Sequence, residues 1–265
     1  TKFELVTMRK GATAARRFAP AVYTTRVGLL PGMIYEFDDV WHDLKIAVPG
    51  INRKLLRALE FACIDVASTQ KISWGIKPQI LREDGSREGL GKALFKATIA
   101  DVLCNKGWHP SGCQFVLELG TASLTDVEQQ MITRLTDGAV TFREPKVLGQ
   151  QVLRGMFRSQ GKGNFKAKAL IEGSHRLIHY EGANLPAQTG ALSRVDEPEQ
   201  MYGLDKYAER VLKVWERVPQ DQRDQLWYGG AMTFTAYRRL VADLYEIIYD
   251  RRDHEIEGWE QNEWM

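Results

Sequence analysis

The run from Met33 to Pro78 limits the possible folds more than any other part of the chain. MIYEFDDVWHDLKIAV, RALEFACIDVAS and KISWGIKP are rich in β-branched and aromatic residues and are separated only by PGINRK and by the turn Ser68-Thr69-Gln70. Parallel neighbours need a crossover of a dozen or more residues, so connections this short predict three antiparallel strands in a meander. A three-stranded meander has an apolar face that must be covered by something else.

The cover follows in the chain. Residues 87–107, REGLGKALFKATIADVLCNKG, place Leu90, Leu94, Ile99 and Leu103 near helical spacing and end at Gly107, which predicts a helix packed on the meander. CQFVLEL, residues 113–119, is a short apolar run suited to a buried parallel strand. SLTDVEQQMITRLTDG, residues 123–138, reads as a helix with Ser123 or Thr125 as N-cap and Gly138 as terminator, and AVTFR as a further strand. With the helix around Glu172 the order is β-β-β-α-β-α-β-α. That is the order of the ribonuclease H-like fold, an α/β architecture with a mixed five-stranded sheet flanked by helices. The expected organisation is a basic N-terminal arm over 1–32, a core over 33–194 and a helical C-terminal extension over 195–265. In that extension LDKYAERVLKVWERV is followed by a break at Pro219 and by FTAYRRLVADLYEIIYDRR, where Tyr237, Leu240, Leu244, Ile247 and Ile248 form an apolar face.

Composition excludes several classes. No run of about 18 apolar residues is present to span a bilayer and the N-terminus has no signal-peptide core, so a soluble cytoplasmic protein is expected. The start at Thr1 suggests a piece of something longer. The three cysteines have no metal-ligand spacing. Cys63 and Cys104 sit in apolar runs and read as small buried hydrophobes, and no disulfide is expected. The net charge of +2 conceals local asymmetry: Arg143, Lys146, Arg154, Arg158, Lys162, Lys166 and Lys168 cluster, while the last third is rich in acids.

The basic cluster leads into GKGNFKAKALIEGSHRLIH, residues 161–179, where Glu172 stands among cations. On a helix Lys168, Glu172, His175, Arg176 and His179 can share one side. Cations suit a polyanion backbone, and a carboxylate among them suits a divalent metal that also touches a phosphate ester. Asp38, expected to close the first strand, and Glu118, expected to close the fourth, complete a set of carboxylates that this fold would bring together with Glu172. Two-metal phosphoryl transfer needs such convergence and requires no histidine or cysteine.

From Met33 to Gly190 the chain resembles the catalytic core of DDE transposases and retroviral integrases, and is most similar to the phage Mu type. IYEFDDVWHD resembles the first-strand motif with its Asp at Asp38. RALEFACIDVASTQKISWGIKP resembles the second and third strands, with Asp65 and Trp74. FVLELGTASLT is similar to the Asp-Asn-Gly motif with Glu118 at the acid's place, and GKGNFKAKALIEGSHRLI followed by LPAQTG is similar to the segment bearing the final Glu, here Glu172. The resemblance implies a catalytic triad of Asp38, Glu118 and Glu172 holding Mg²⁺, with Mn²⁺ able to substitute. It also implies phosphodiester hydrolysis and strand transfer on DNA, a homo-oligomer assembled on DNA, and a bacterial or phage-encoded origin. Arg158, Lys162, Lys166, Lys168 and Arg176 would hold DNA phosphates. The alternatives are a structure-specific nuclease of the same fold and an inactive DNA-binding relic.

Asp39 is the rival of Asp38, but adjacent strand residues face opposite ways, and Phe37 takes the buried slot if Asp38 is the ligand. Asp65 reads as a structural hydrogen-bonding residue beside the Ser68-Thr69 turn. His175 and His179 have the i, i+4 spacing of zinc ligands without the Glu of an HExxH pattern, and read as a pair facing solvent or DNA. Trp41 and His42 are expected at the rim of the site, with a core position for Trp41 equally compatible. The departure at Glu118 is directly testable by nicking and strand-transfer assays over a Mg²⁺ and Mn²⁺ series. Glu118→Ala should abolish metal-dependent chemistry, and Glu118→Asp should retain part of it, because the carboxylate survives and only its reach changes.

Overall fold

The computed structural model describes residues 4–5, 8–9, 28–86, 88, 91–117, 124–143, 169–182, 199–226 and 231–250. Its centre is a five-stranded sheet in the order β3-β2-β1-β4-β5. The strands are β1 (Ile34–Ile46), β2 (Leu56–Asp65), β3 (Lys71–Pro78), β4 (Cys113–Val116) and β5 (Val140–Arg143). β1–β2 and β2–β3 pair antiparallel, and β1–β4 and β4–β5 pair parallel. The meander and its two parallel additions therefore form as the short turns and the buried run at Cys113 lead one to expect.

Helices cover both faces. On one side lie α1 (Lys92–Asp101), continued by a π-helical turn over Val102–Lys106, and α2 (Asp126–Leu135). Their apolar residues Phe95, Ile99, Val102 and Ile132 meet Tyr35, Phe37, Phe61, Cys63 and Phe115 from the sheet. Phe37 is the hub of this layer, with ring centroids 6.1 Å from Phe61 and 5.0 Å from Phe115, while Phe61 lies 4.7 Å from Phe95. α2 begins with a full capping box, Thr125 accepting from the Glu128 amide and Glu128 from the Thr125 amide. Thr125, not Ser123, is thus the N-cap, and the box satisfies amides that would otherwise lack partners. The other face carries α3 (Ala169–Gly182) and α6 (Phe234–Tyr245), the latter extended by a π-helical turn over Glu246–Asp250. α4 (Glu199–Val214), a 3₁₀ turn at Trp215–Arg217 and α5 (Gln220–Leu226) lie between them in the chain.

The C-terminal helix is built into the sheet. Ala47 donates to the carbonyl of Met232 at 2.8 Å and accepts from the amide of Phe234 at 2.9 Å, so the start of α6 is stitched to the chain just after β1. Tyr237, Val241, Tyr245, Ile248 and Tyr249 are buried. Ile247, expected on the same apolar face, is half exposed at 50%. At about 100° per residue, Ile247 falls off the seam that runs through Tyr237, Val241, Tyr245 and Ile248, so its exposure follows from α-helical spacing itself. Cys104, two residues after the buried Val102 and so on the opposite side of the turn that follows α1, is exposed, whereas Cys63 and Cys113 are buried.

Asp65 ties the entry of β1 to the β2–β3 turn. One carboxylate oxygen accepts from the Ser68 amide at 2.7 Å and the other from the Gly32 amide at 3.0 Å. Gly32 has φ +82°, and a Cβ there would lie 2.7 Å from the amide nitrogen of His109, so this close approach requires glycine. The structural role read for Asp65 from its turn is the one it has. Because Phe115 is fully buried against Tyr35, Phe37 and Phe142, Phe115→Ala should lower unfolding stability by about 3–5 kcal/mol, measurable by urea denaturation. A loss below about 1 kcal/mol would show that this layer collapses to fill the gap.

Candidate functional site

Strand alternation divides β1 between the two helical layers. Tyr35 and Phe37 enter the phenylalanine layer, so Glu36 and Asp38 point to the side covered by α3 and α6. Glu36 is buried at 7% exposure, Asp38 is half-buried and Asp39 is exposed. Asp38 sits in mid-strand, not at the strand's end, because β1 continues to Ile46. On β2, Glu60 pairs with Val40 and Ala62 with Asp38, so Glu60 shares the face one pair further along. The small side chain of Ala62 leaves Asp38 without a bulky cross-strand neighbour.

α3 lies over this face. At its N-terminal end Leu170 joins Ile34, Val66 and Val116, and towards its C-terminal end Ile178 joins Leu44, Ile46 and Ala58. The helix therefore follows β1 in the strand's own direction. Ile171, Ser174, His175 and Ile178 are buried, Glu172 and His179 are half-buried, and Arg176 is exposed. Glu172, His175 and His179 are three and four residues apart and form one stripe. His179 Nδ1 lies 2.7 Å from Asp43 Oδ2, and the His42 and His179 rings are 6.3 Å apart. With His179 over His42 and Asp43, Glu172 about two turns earlier lies on the side of α3 that faces the Glu36–Asp38 stretch.

Below the stripe is a buried polar cluster centred on Glu60. Lys71 Nζ donates to Glu60 Oε1 at 2.7 Å, and Glu60 Oε2 meets His42 Nε2 at 2.7 Å and the Tyr245 hydroxyl at 2.5 Å. Lys71 also donates to the Tyr245 oxygen at 2.8 Å, and His42 Nδ1 lies 2.7 Å from the Tyr237 hydroxyl. Glu60 and Lys71 are fully buried. Burial alone would raise the Glu60 pKa, but the Lys71 ammonium and the His42 contact outweigh it and hold the carboxyl well below the usual range. Burial lowers the Lys71 pKa against the opposing pull of Glu60. At the β1 register shift between Trp41 and Lys45, Arg57 donates to the carbonyls of Trp41 and His42 at 2.7 and 2.6 Å and pairs with Asp43. These bonds satisfy carbonyls that the irregular ladder leaves open.

Several sequence expectations are corrected here. His175 does not face solvent: it is 5% exposed, and neither ring nitrogen has a hydrogen-bond partner among the described residues. His42 is no rim residue but 1% exposed, because its two nitrogens complete the Glu60 cluster. Trp41 is half-buried. Glu118, Arg158, Lys162, Lys166 and Lys168 lie outside the described residues. Of the expected site, the structure brings Asp38 and Glu172 to the same side of the sheet and leaves Arg176 exposed on α3. The Glu60 cluster was missed; its one sequence signal is a Glu inside the apolar run RALEFACIDV, where a buried carboxylate demands cationic partners.

No group of three or more His, Cys, Asp or Glu among the described residues is placed to hold a metal ion. The carboxylates of the half-buried Asp38 and Glu172 are hard donors of the kind that Mg²⁺ or Mn²⁺ takes, while His42 is bonded into the Glu60 cluster and His179 meets Asp43. No protein-family model matches the chain, and no curated protein is significantly similar to it.

Burial, reinforced by the Lys71 charge, lowers the His175 pKa from 6.5 to about 3, with Glu60 opposing and His42 and His179 adding to the shift. The unfolded chain therefore takes up a proton below pH 6.5 that the folded protein refuses, and stability falls as pH drops from 6.5 towards 3 by about 1.4 kcal/mol per pH unit. His175→Leu removes this dependence and two unsatisfied nitrogens. The variant should gain on the wild type by about 1 kcal/mol on going from pH 7.5 to 5.5 in urea unfolding. An equal difference at both values would mean that His175 titrates alike in both states.

Proposed function

We propose that this chain is the catalytic domain of a DNA transposase or integrase with a ribonuclease H-like fold, which hydrolyses a phosphodiester at an element end and joins the freed 3′-hydroxyl to target DNA. The observation that carries the reading is the placement of Asp38 in the central strand on the sheet face over which α3 carries Glu172. Three antiparallel strands followed by two parallel ones, with the sheet order β3-β2-β1-β4-β5, support it.

In this reading Asp38, Glu118 and Glu172 would hold Mg²⁺, which when bound supplies charge for activating the attacking oxygen and stabilising the leaving one. The chain's own contribution is positional. β1 is paired with β2 at Asp38 itself and with β4 as far as Glu36, so Asp38 rides on backbone held in the ladder and anchored on both sides just before it. Glu172 rides on a helix fixed by Leu170 at one end and Ile178 at the other. Such support from rigid elements is what a site demanding near-ideal oxygen geometry requires. Arg176, exposed one turn beyond Glu172, would contact a backbone phosphate beside the reacting one, together with Arg158, Lys162, Lys166 and Lys168.

Glu172→Gln and Asp38→Asn remove charge at almost constant volume. Each should leave folding and DNA binding intact and abolish nicking and strand transfer in Mg²⁺; turnover within about tenfold of wild type would sink the assignment. A precut 3′-hydroxyl end in the same assay separates a joining enzyme from a nuclease that only cuts.

A further inference from the structure

Helix α4 presents a ridge of positive charge that no interaction among the described residues uses. Ala208, Val211 and Leu212 are its buried residues, and Ala208 and Leu212 pack with Ala47, Leu55 and Ala231. At about 100° per residue, Lys206, Arg210 and Lys213 fall within a narrow arc opposite that buried seam, and Arg217 continues the line on the 3₁₀ turn. All four are exposed, and none has an ion pair or hydrogen bond among the described residues. From Asp205 onward the acids of the helix lie off the ridge. Asp205 is held at 2.5 Å by Lys45, and Glu209 and Glu216 lie towards the same flank as Asp205. The opposite flank carries Tyr207 and Val214, 47% and 44% exposed.

We propose that this ridge is a second nucleic-acid surface, which grips the phosphate backbone of duplex DNA away from the reacting bond. At a rise of about 1.5 Å per residue the four cations span about 16 Å. Duplex DNA carries one charge per about 1.7 Å of axis, so a helix laid along the backbone finds a phosphate for each cation. Contacts to the phosphate backbone position DNA without carrying sequence information. Ala47, which packs with α4, lies nine residues beyond Asp38 on the same run of chain, about 30 Å away at strand spacing. At 3.4 Å per step that is about nine base pairs, so the ridge would hold flanking duplex while the carboxylate face holds the scissile strand. The choice of DNA as the polyanion rests on the proposed function.

The test is the salt dependence of binding to an uncleaved duplex in chelator, where catalysis plays no part. Arg210→Gln/Lys213→Gln should lower the slope of log K against log salt by about 0.9 per lost contact, and adding Lys206→Gln/Arg217→Gln should about double the loss. The control pair Lys92→Gln/Lys106→Gln removes equal charge from exposed positions at the start of α1 and in the turn that follows it and should leave the slope unchanged. Unaltered far-ultraviolet circular dichroism and unfolding midpoints establish that the variants fold. An unchanged slope for the ridge variants, or an equal drop for the control pair, overturns the proposal. So does reduced retention on heparin with an unchanged duplex slope, which would assign the ridge to another polyanion. A chain inactive in cleavage but with the full ridge effect would sink the catalytic reading alone.

Discussion

A fully buried carboxylate must be paired, and Glu60 sets much of the architecture by that requirement. Its two oxygens take an ammonium from β3, an imidazole from β1 and a phenol from α6, so one side chain binds three elements. Removing any partner leaves charge in a medium of low dielectric, with a penalty of several kcal/mol. Lys71 adds a second tie, since its ammonium also lies 4.1 Å from the centre of the Tyr245 ring. Helix α6 is therefore fixed in direction as well as in contact, because apolar packing alone would tolerate sliding and the polar cluster does not.

That fixation bears on the carboxylate face beside it. Along β1 the side facing α3 changes character from Glu36 and Asp38, through the polar cluster at His42, to Leu44 and Ile46. α3 mirrors the gradient with Glu172, then His175 and His179, with Ile178 in the apolar seam. The accessible acidic end and the sealed apolar end are thus two parts of one continuous packing interface, and the cluster between them sets how closely the helix approaches the strand.

The strands were legible because short turns leave an antiparallel chain little choice, and KISWGIKP forms over the residues read from its composition. Thr125 and Gly138 bounded α2 through local chemistry that needs no tertiary context. The orientation of Asp38 followed from alternation once Phe37 was assigned to the core. Interactions made across the fold were not legible. His175 and His179 share a helix side with Glu172, but periodicity does not reveal whether that side meets water or a buried glutamate. Exposure at Ile247 and Cys104 follows from their places off the buried seams of α6 and of α1 with its continuation, which the presence of an apolar run does not mark.

The partners in the Glu60 cluster are far apart in the chain, with His42 and Tyr237 separated by 195 positions and Glu60 and Tyr245 by 185. During synthesis the meander emerges early, yet one of its faces carries a carboxylate, an ammonium and an imidazole whose final partner is made almost last. Until α6 arrives, those groups keep their water and the apolar end of that face stays uncovered, so dehydration of the cluster belongs to the closing step of assembly. The burden falls on biogenesis: a nascent chain halted before Phe234 presents a nearly finished sheet with a wet, open face, the kind of surface that chaperones hold and neighbouring chains capture.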